Sequence, residues 1–323
     1  MTPETPPAAN AAPPESPIPP SVPSRSSLER LFTNDKGLRA GWRLAIYLAV
    51  GYALTLVGGA VAAFFPDVLS GPITTRVLFF QEIAGLVAVF GAAAFMARIE
   101  HRGIGNYGLP LGEALGRRFW IGIAFGLVEV SALVGSIALC GGYSFGPVIL
   151  HGAEVARWAL IWAVFFTLVG FFEEFLFRGY TQVVLAEGIG FWPAAIALSL
   201  VFGAAHIRNK GENWVGILSI VVTGLVFAFA LRRTGNLWMA VGWHASFDFG
   251  ETFLYSVPNS GFTFQGHLSS AVLHGSPAWL TGGTAGPEAS IFSFLILGIL
   301  ALAIHKMFPA RKPARQSDVA SGS

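Results

Sequence analysis

The stretch ARWALIWAVFFTLVGFFEEFLFRGYTQVVLA, Ala156 to Ala186, decides how this chain is read. It is long and apolar enough to cross a bilayer, which takes roughly 20 apolar residues. Yet Glu173, Glu174 and Arg178 sit inside it. A charge at the bilayer centre costs roughly 3 kcal/mol on insertion scales, so such groups face a bundle interior or a wet cavity and mark function by default.

The rest of the 323-residue chain has the same character. It is 54% hydrophobic and 12% charged, whereas an ordinary soluble domain is about a quarter charged. This is the composition of an all-α, polytopic membrane bundle. The formal charge of +2 says little about partners; the bilayer is one, and no nucleic acid is expected. One cysteine, Cys140, excludes an intrachain disulfide and a thiolate metal cluster. The first residues lack a basic region followed by an apolar core, so the first membrane helix is expected to act as the insertion signal.

Residues 1–24 hold nine of the 19 prolines and almost nothing bulky, which predicts a disordered tail. The membrane domain is placed at 25–308 and a cytoplasmic tail at 309–323. About eight transmembrane helices are expected, at 42–65, 79–98, 118–140, 157–180, 190–206, 214–231, 236–257 and 289–308. With the N-terminus in the cytoplasm and one crossing per span, only Arg76, Arg157, Arg208 and Lys210 of the 20 lysines and arginines fall outside. Arg178, near the end of the fourth span, counts as cytoplasmic in that distribution. The asymmetry predicts both termini inside. The loop from Pro258 to Pro287 holds no lysine or arginine, as an external loop should.

Helical geometry sorts the buried polar residues. Glu174 and Arg178 are four apart on one face, with the acid N-terminal, the favourable order. Glu173 lies about 100° round the helix and cannot share that contact equally. Glu174 should therefore stay ionised as a buttress. Glu173, desolvated and without a cation in sequence reach, has the character of a working base. His244 and Asp248, in MAVGWHASFDF, share a face of the seventh span; Phe202 and His206 do the same at the end of the fifth, where the ring could wall a pocket. The bland reading is a structural one: a Glu–Arg pair can simply lock two helices, and a lone intramembrane histidine can bond across an interface. Glu82 and Glu129 are read that way, and Glu251, one turn after Asp248, either as a residue supporting the site from behind or as a rim residue. The other set stands apart because its members recur on the fourth, fifth and seventh spans.

Several chemistries drop out. No HExxH occurs. Asp248 is the single aspartate in the spans, so an aspartyl dyad cannot form within one chain. GYSFG, Gly142 to Gly146, matches G-x-S-x-G but lacks the strand–turn–helix context that motif needs. Cys140 has no histidine nearby in sequence. A glutamate base with two histidines remains.

The ordered motifs EExxxR (Glu173, Glu174, Arg178), FxxxH (Phe202, His206) and HxxxD (His244, Asp248) resemble those of the CPBP family, the CAAX-processing and bacteriocin-processing membrane proteases also called Abi proteins. The resemblance covers roughly residues 155–250. The stretches GLRAGWR (Gly37 to Arg43) and GNLWMAVGWHASFDF are also similar to bacterial members. The resemblance implies an intramembrane endopeptidase in a bacterial plasma membrane, acting on a membrane-associated protein or peptide. Carried over, Glu173 is the general base, His206 helps to position the water, Glu174 and Arg178 support them, and His244 stabilises the oxyanion with the residue at 248. Many members have asparagine where this chain has Asp248; an ionised aspartate would repel an oxyanion, but it could orient His244. No cofactor is expected on this reading. The alternative is a zinc site made by Glu173, His206 and His244. From other classes stand a proton-coupled transporter using the same carboxylates, and a non-catalytic immunity protein of the same fold.

One geometrical tension follows. If the fourth span ends near Tyr180, Glu173 lies roughly 10 Å from the cytoplasmic face, while His206 ends the fifth span at the outer face. The two can meet if the fourth span runs on to about Leu185, sinking Glu173 toward the middle, or if the fifth is short with His206 deep; both are expected.

Overall fold

The computed structural model describes residues 26–35, 37–66, 68, 73–274 and 277–309. The Pro-rich segment 1–24 and residues 310–323 of the expected tail lie outside them. The chain divides into two units, residues 1–39 and 40–323. In the first, α1 (Ser27–Phe32) starts at a capping box: Ser26 Oγ accepts the Glu29 N–H and the Glu29 carboxylate accepts the Ser26 N–H. A two-stranded antiparallel ribbon follows, β1 (Thr33–Asn34) with β2 (Gly37–Leu38).

The second unit is a helical bundle. Its helices are α2 (Ala40–Ala62), α3 (Thr75–Ile99) and α4 (Arg117–Leu139). A continuous rod from Ala153 to Ile189 comes next, made of α5 (Ala153–Glu174), a π-helical turn at Phe175–Gly179 and α6 (Tyr180–Ile189). Then come α7 (Phe191–Ala205), α8 (Trp214–Thr234), α9 (Trp238–Phe249) with a second π-turn at Gly250–Leu254, and α10 (Phe292–Met307). Strand β3 (Tyr143–Val148) pairs antiparallel with β4 (Ser269–Leu273), so GYSFG runs into a strand in a loop region.

A helix stands at each of the eight expected spans. Five segments are long and apolar enough to cross a membrane: α2, α3, α4, the Ala153–Ile189 rod and α8. Helices α7 and α10 are apolar but only 15 and 16 residues long, short of the roughly 20 that a perpendicular crossing takes. The chain is an integral membrane protein, and its described residues are all-helical apart from the short strands and loops.

Glycines set the central packing. A Cβ on Gly122 would lie 2.1 Å from Met239 O, one on Gly126 2.2 Å from Trp243 O, and one on Gly242 2.3 Å from Phe119 O. Helices α4 and α9 therefore touch backbone to backbone, as small residues allow in membranes, where lipid supplies no hydrophobic drive to press helices together. Gly170 gives α5 a similar approach to α9 at Val241. Through these contacts α9 sits between α4 and α5, which is what brings His244 against the fourth expected span.

One end of the bundle is closed by ion pairs. The Arg43 guanidinium, on the first turn of α2, bonds Glu100 (Nε–Oε1 2.9 Å) just past α3 and also Glu187 near the end of α6. Arg102 joins Glu187 at 2.6 Å. Tyr180 and Tyr107 donate to Glu100 at 2.5 and 3.0 Å. Burial would lift the Glu100 carboxyl, but Arg43 and the two phenols hold it below the usual range. The loops after α4 and α7, and the long connection from α9 to α10, lie at the other end.

Candidate active site

Glu173 and Glu174 end α5 immediately before the π-turn that contains Arg178. π-turns inside α-helices are rare and favour functional sites; the second one begins two residues after Asp248. The Ala153–Ile189 rod is 37 residues long, about 55 Å, more than the roughly 40–45 Å of a whole bilayer. Glu173 therefore stands near the rod's middle. Helix α7 is short, with His206 as its C-cap. The fourth span runs on past Leu185 and the fifth is short, as expected.

A cavity of about 460 Å³ holds Glu173, His206, His244, Asp248 and Phe202 on its walls. Glu174 and Arg178 lie behind it, 0% and 1% exposed. Arg178 Nη1 donates to Glu174 Oε1 at 3.1 Å, and the guanidinium lies over the Phe202 ring, 4.4 Å from its centroid. Phe202 in turn meets the His206 ring edge-on at 4.9 Å, the walling role expected of it. Burial corrects one sequence-based assignment: Arg178 is an interior partner and not a charge of the cytoplasmic rim. Its four-residue spacing from Glu174 draws it into the bundle.

His244 is the hub. Its Nδ1 lies 2.9 Å from Glu174 Oε1, while Nε2 lies 3.7 Å from Glu173 Oε2 and 3.6 Å from Asp248 Oδ2. Glu174 thus orients the imidazole as well as pairing Arg178, a role the sequence did not reveal because the two residues are 70 apart. The Nδ1–H is committed to Glu174, and Nε2 faces the carboxylates of the cavity. Asp248 stands beside the ring as its spacing predicted, at longer range than Glu174. At His206 the Nδ1 lies 2.8 Å from Phe202 O, which assigns the proton to Nδ1 and leaves the Nε2 lone pair available.

Two acids read as structural also line the cavity. Glu129 Oε2 accepts from Trp243 Nε1 at 2.5 Å, an interhelical bond of the expected kind, but the residue faces the cavity too. Glu82 Oε1 has no partner among the described residues. Both were visible as intramembrane acids; their convergence with Glu173 was not. Asn209, Asn259, Ser260 and Glu288 complete the wall from loops, where no periodicity marks a functional position. Ser260 N–H donates to Glu288 Oε1 at 2.8 Å, and burial pushes the Glu288 carboxyl up to about 7. Of the two positions open to Glu251, burial favours the one behind the site: it is 1% exposed and lies against Glu288.

Glu173, His206 and His244 share the cavity, but among the described residues no group of three or more His, Cys, Asp or Glu side chains is arranged to hold a metal ion. Ser144 of GYSFG bonds His274 (Oγ to Nε2, 2.5 Å) on the exposed β3–β4 ribbon; neither lines the cavity. Cys140 is exposed and lies outside it as well.

Comparison with known proteins bears on the same segment. The family model described as "Type II CAAX prenyl endopeptidase Rce1-like" matches residues 155–250. No curated protein and no solved structure matches. Those 96 residues begin in α5 and end at the second π-turn, and they contain every residue of the three motifs. Residues 155–250 are therefore an Rce1-like type II CAAX prenyl endopeptidase domain, matching the CAAX protease family, set in a larger membrane bundle.

Proposed function

We propose that the protein is an intramembrane endopeptidase that hydrolyses a peptide bond of a membrane-associated protein or peptide, with water activated by Glu173 and without a metal. The observation that carries this reading is one cavity joining a carboxylate free of hydrogen bonds to described side chains, Glu173, to two histidines whose outward nitrogens are free of backbone bonds. Glu173 is half-buried, and no hydrogen bond ties its carboxylate to another described side chain; His244 is its neighbour at 3.7 Å.

In this mechanism a water lies between Glu173 and His206 Nε2, which accepts one of its hydrogens and fixes its direction. Glu173 removes the other proton as the oxygen attacks the scissile carbonyl carbon. A positioned general base contributes about 10²–10⁴-fold. The carbonyl π pair moves onto oxygen, and His244 Nε2–H donates to that oxyanion, worth roughly 3–4 kcal/mol by analogy with known donors. This role requires protons on both ring nitrogens, and Glu174, Glu173 and Asp248 surround the ring with the counter-charge such an imidazolium needs. Protonated Glu173 then passes its proton to the leaving amine as the C–N bond breaks. Asp248 acts through His244 and stays off the oxyanion. In the membrane the chain crosses eight times, with α7, α9 and α10 as short crossings and both ends in the cytoplasm of a bacterial cell.

The test is mass spectrometry of membrane-protein fragments from cells making the wild type or Glu173→Gln, followed by cleavage of the candidate by purified protein. Glu173→Gln and His206→Ala are expected to insert normally and to abolish cleavage. Wild-type proteolysis by both variants would refute the assignment, and inhibition by a chelator with recovery on adding zinc would replace the metal-free mechanism.

A further inference from the structure

The structure gives the cavity a direction, and with the charge distribution it names the kind of substrate that can enter. Beyond Glu173 toward the Arg43 end, the space around α6 and the start of α9 is filled, while a separate groove of about 520 Å³ runs alongside between α2 and α3, bordered by Tyr47, Phe172 and Leu176. Phe175, Tyr180, Val184, Tyr107, Leu237 and Val241 are all 0% exposed. The rings stack, Tyr47 on Tyr180 at 4.4 Å and Phe90 on Phe175 at 4.1 Å. The Arg43–Glu100–Glu187 ion pairs cap this plug. Toward the opposite end the wall is built from Phe165, Phe166 and Val169, which precede Glu173 on α5, and from loop residues Asn209, Ser260 and Phe262. Phe262 is 46% exposed. The cavity therefore runs from Glu173 to the end that carries the 206–213 and 255–291 loops.

The two ends differ in charge. The plugged end carries Arg43, Arg98, Arg102, Arg117, Arg118, Arg232, Arg233 and Lys306. Bonds across that end confirm that these segments meet there: Asn236 to Glu113 at 2.8 Å, Trp238 Nε1 to Pro110 O at 3.1 Å, and Arg233 to His305. The open end carries Arg76, Arg157, Arg208 and Lys210. Basic residues near span ends mark the cytoplasmic side, which makes the plugged end cytoplasmic.

From this we infer that the catalytic cavity opens away from the cytoplasm, and that its substrate is an exported peptide or the outward-facing segment of a membrane protein. A lipid-modified C-terminal tail presented from the cytoplasm meets the plug and not the cavity mouth. The inference rests on the peptidase reading for what is cleaved, but not for where the cavity opens.

The experiment separates the two. Lys210→Cys, at the open end, and Lys306→Cys, at the plugged end, are each made with Cys140→Ser and labelled in intact cells with a membrane-impermeant sulfonated maleimide. Both lysines are exposed. Lys210→Cys is expected to label fully before permeabilisation and Lys306→Cys only after it. In parallel, the segment whose cleavage depends on Glu173 is placed at the outer end of a single-span fusion, and in a second fusion at the inner end. The outward fusion is expected to be cut by the wild type, with complete loss of cutting for Glu173→Gln and none of the inward fusion by either. The reverse labelling pattern overturns the inference whatever the protease data show, as does cleavage of the inward fusion. Equal cleavage by wild type and Glu173→Gln, with the labelling as expected, refutes the peptidase mechanism and leaves the direction of the cavity standing.

Discussion

Glu174→Gln and Glu173→Gln are the same chemical change at adjacent positions, and the structure expects different results. Glu174 and Arg178 are 0% and 1% exposed, and Glu174 Oε1 takes both Arg178 Nη1 at 3.1 Å and His244 Nδ1 at 2.9 Å. The amide keeps one acceptor oxygen but loses the charge, leaving a guanidinium in a low-dielectric interior. Neutral hydrogen bonds between membrane helices average about 0.6 kcal/mol, with a maximum near 1.7. Breaking a buried ion pair by removing one partner costs about 3–5 kcal/mol. The second figure governs here, because Arg178 Nη2 already lacks a partner and no other described carboxylate bonds the guanidinium. We expect about 3 kcal/mol of destabilisation, roughly a hundredfold in the folding equilibrium at about 1.4 kcal/mol per decade. Glu173 is 23% exposed on its side chain, with His244 at 3.7 Å and no hydrogen bond to a described side chain, so Glu173→Gln should cost about 1 kcal/mol, the central figure for point substitutions. Reversible unfolding in mixed micelles, followed by tryptophan fluorescence, measures both. The double variant Glu174→Gln/Arg178→Met should recover part of the loss, because it removes the stranded charge. Equal stability of the two glutamine variants, or a further loss in the double variant, would refute the reasoning.

Three other outcomes follow from the packing and the charges. Gly126→Ala puts a Cβ 2.2 Å from Trp243 O, whereas Gly135→Ala meets nothing within 4 Å; the first should lose about 1–3 kcal/mol to overpacking and the second almost nothing, as thermal unfolding in detergent will show. Arg43→Met leaves Glu100, whose side chain is 7% exposed, with Arg102 at 4.0 Å as its remaining cation; a loss of about 3 kcal/mol, the low end for a broken buried pair, is expected, partly recovered by adding Glu100→Gln. Glu288 has its carboxyl lifted from 4.5 to about 7 by burial, so the folded state binds its proton more tightly. Its contribution to stability is fullest below pH 4.5 and is lost as pH rises through 7. Thermal midpoints should therefore fall between pH 5 and 8 in the wild type and flatten in Glu288→Gln; parallel profiles would count against that assignment.

The one-dimensional pattern alone located a helix at every expected span, because a bilayer demands long apolar runs and satisfied backbone. It also sorted the acids of the fourth span, since Glu174 and Arg178 are neighbours on a helix whatever surrounds it. The placing of Phe202 beside His206, and of Asp248 within 3.6 Å of His244, came from the same four-residue spacing. What spacing cannot express is an encounter between distant helices. That Glu174 orients His244, that Glu82 and Glu129 face the cavity, and that Arg178 is interior all depend on α9 packing through Gly122, Gly126 and Gly170 against α4 and α5. The direction of the cavity likewise waited for the tertiary structure. It is decided by which side chains fill the space on either side of Glu173, and local periodicity carries no information about that space.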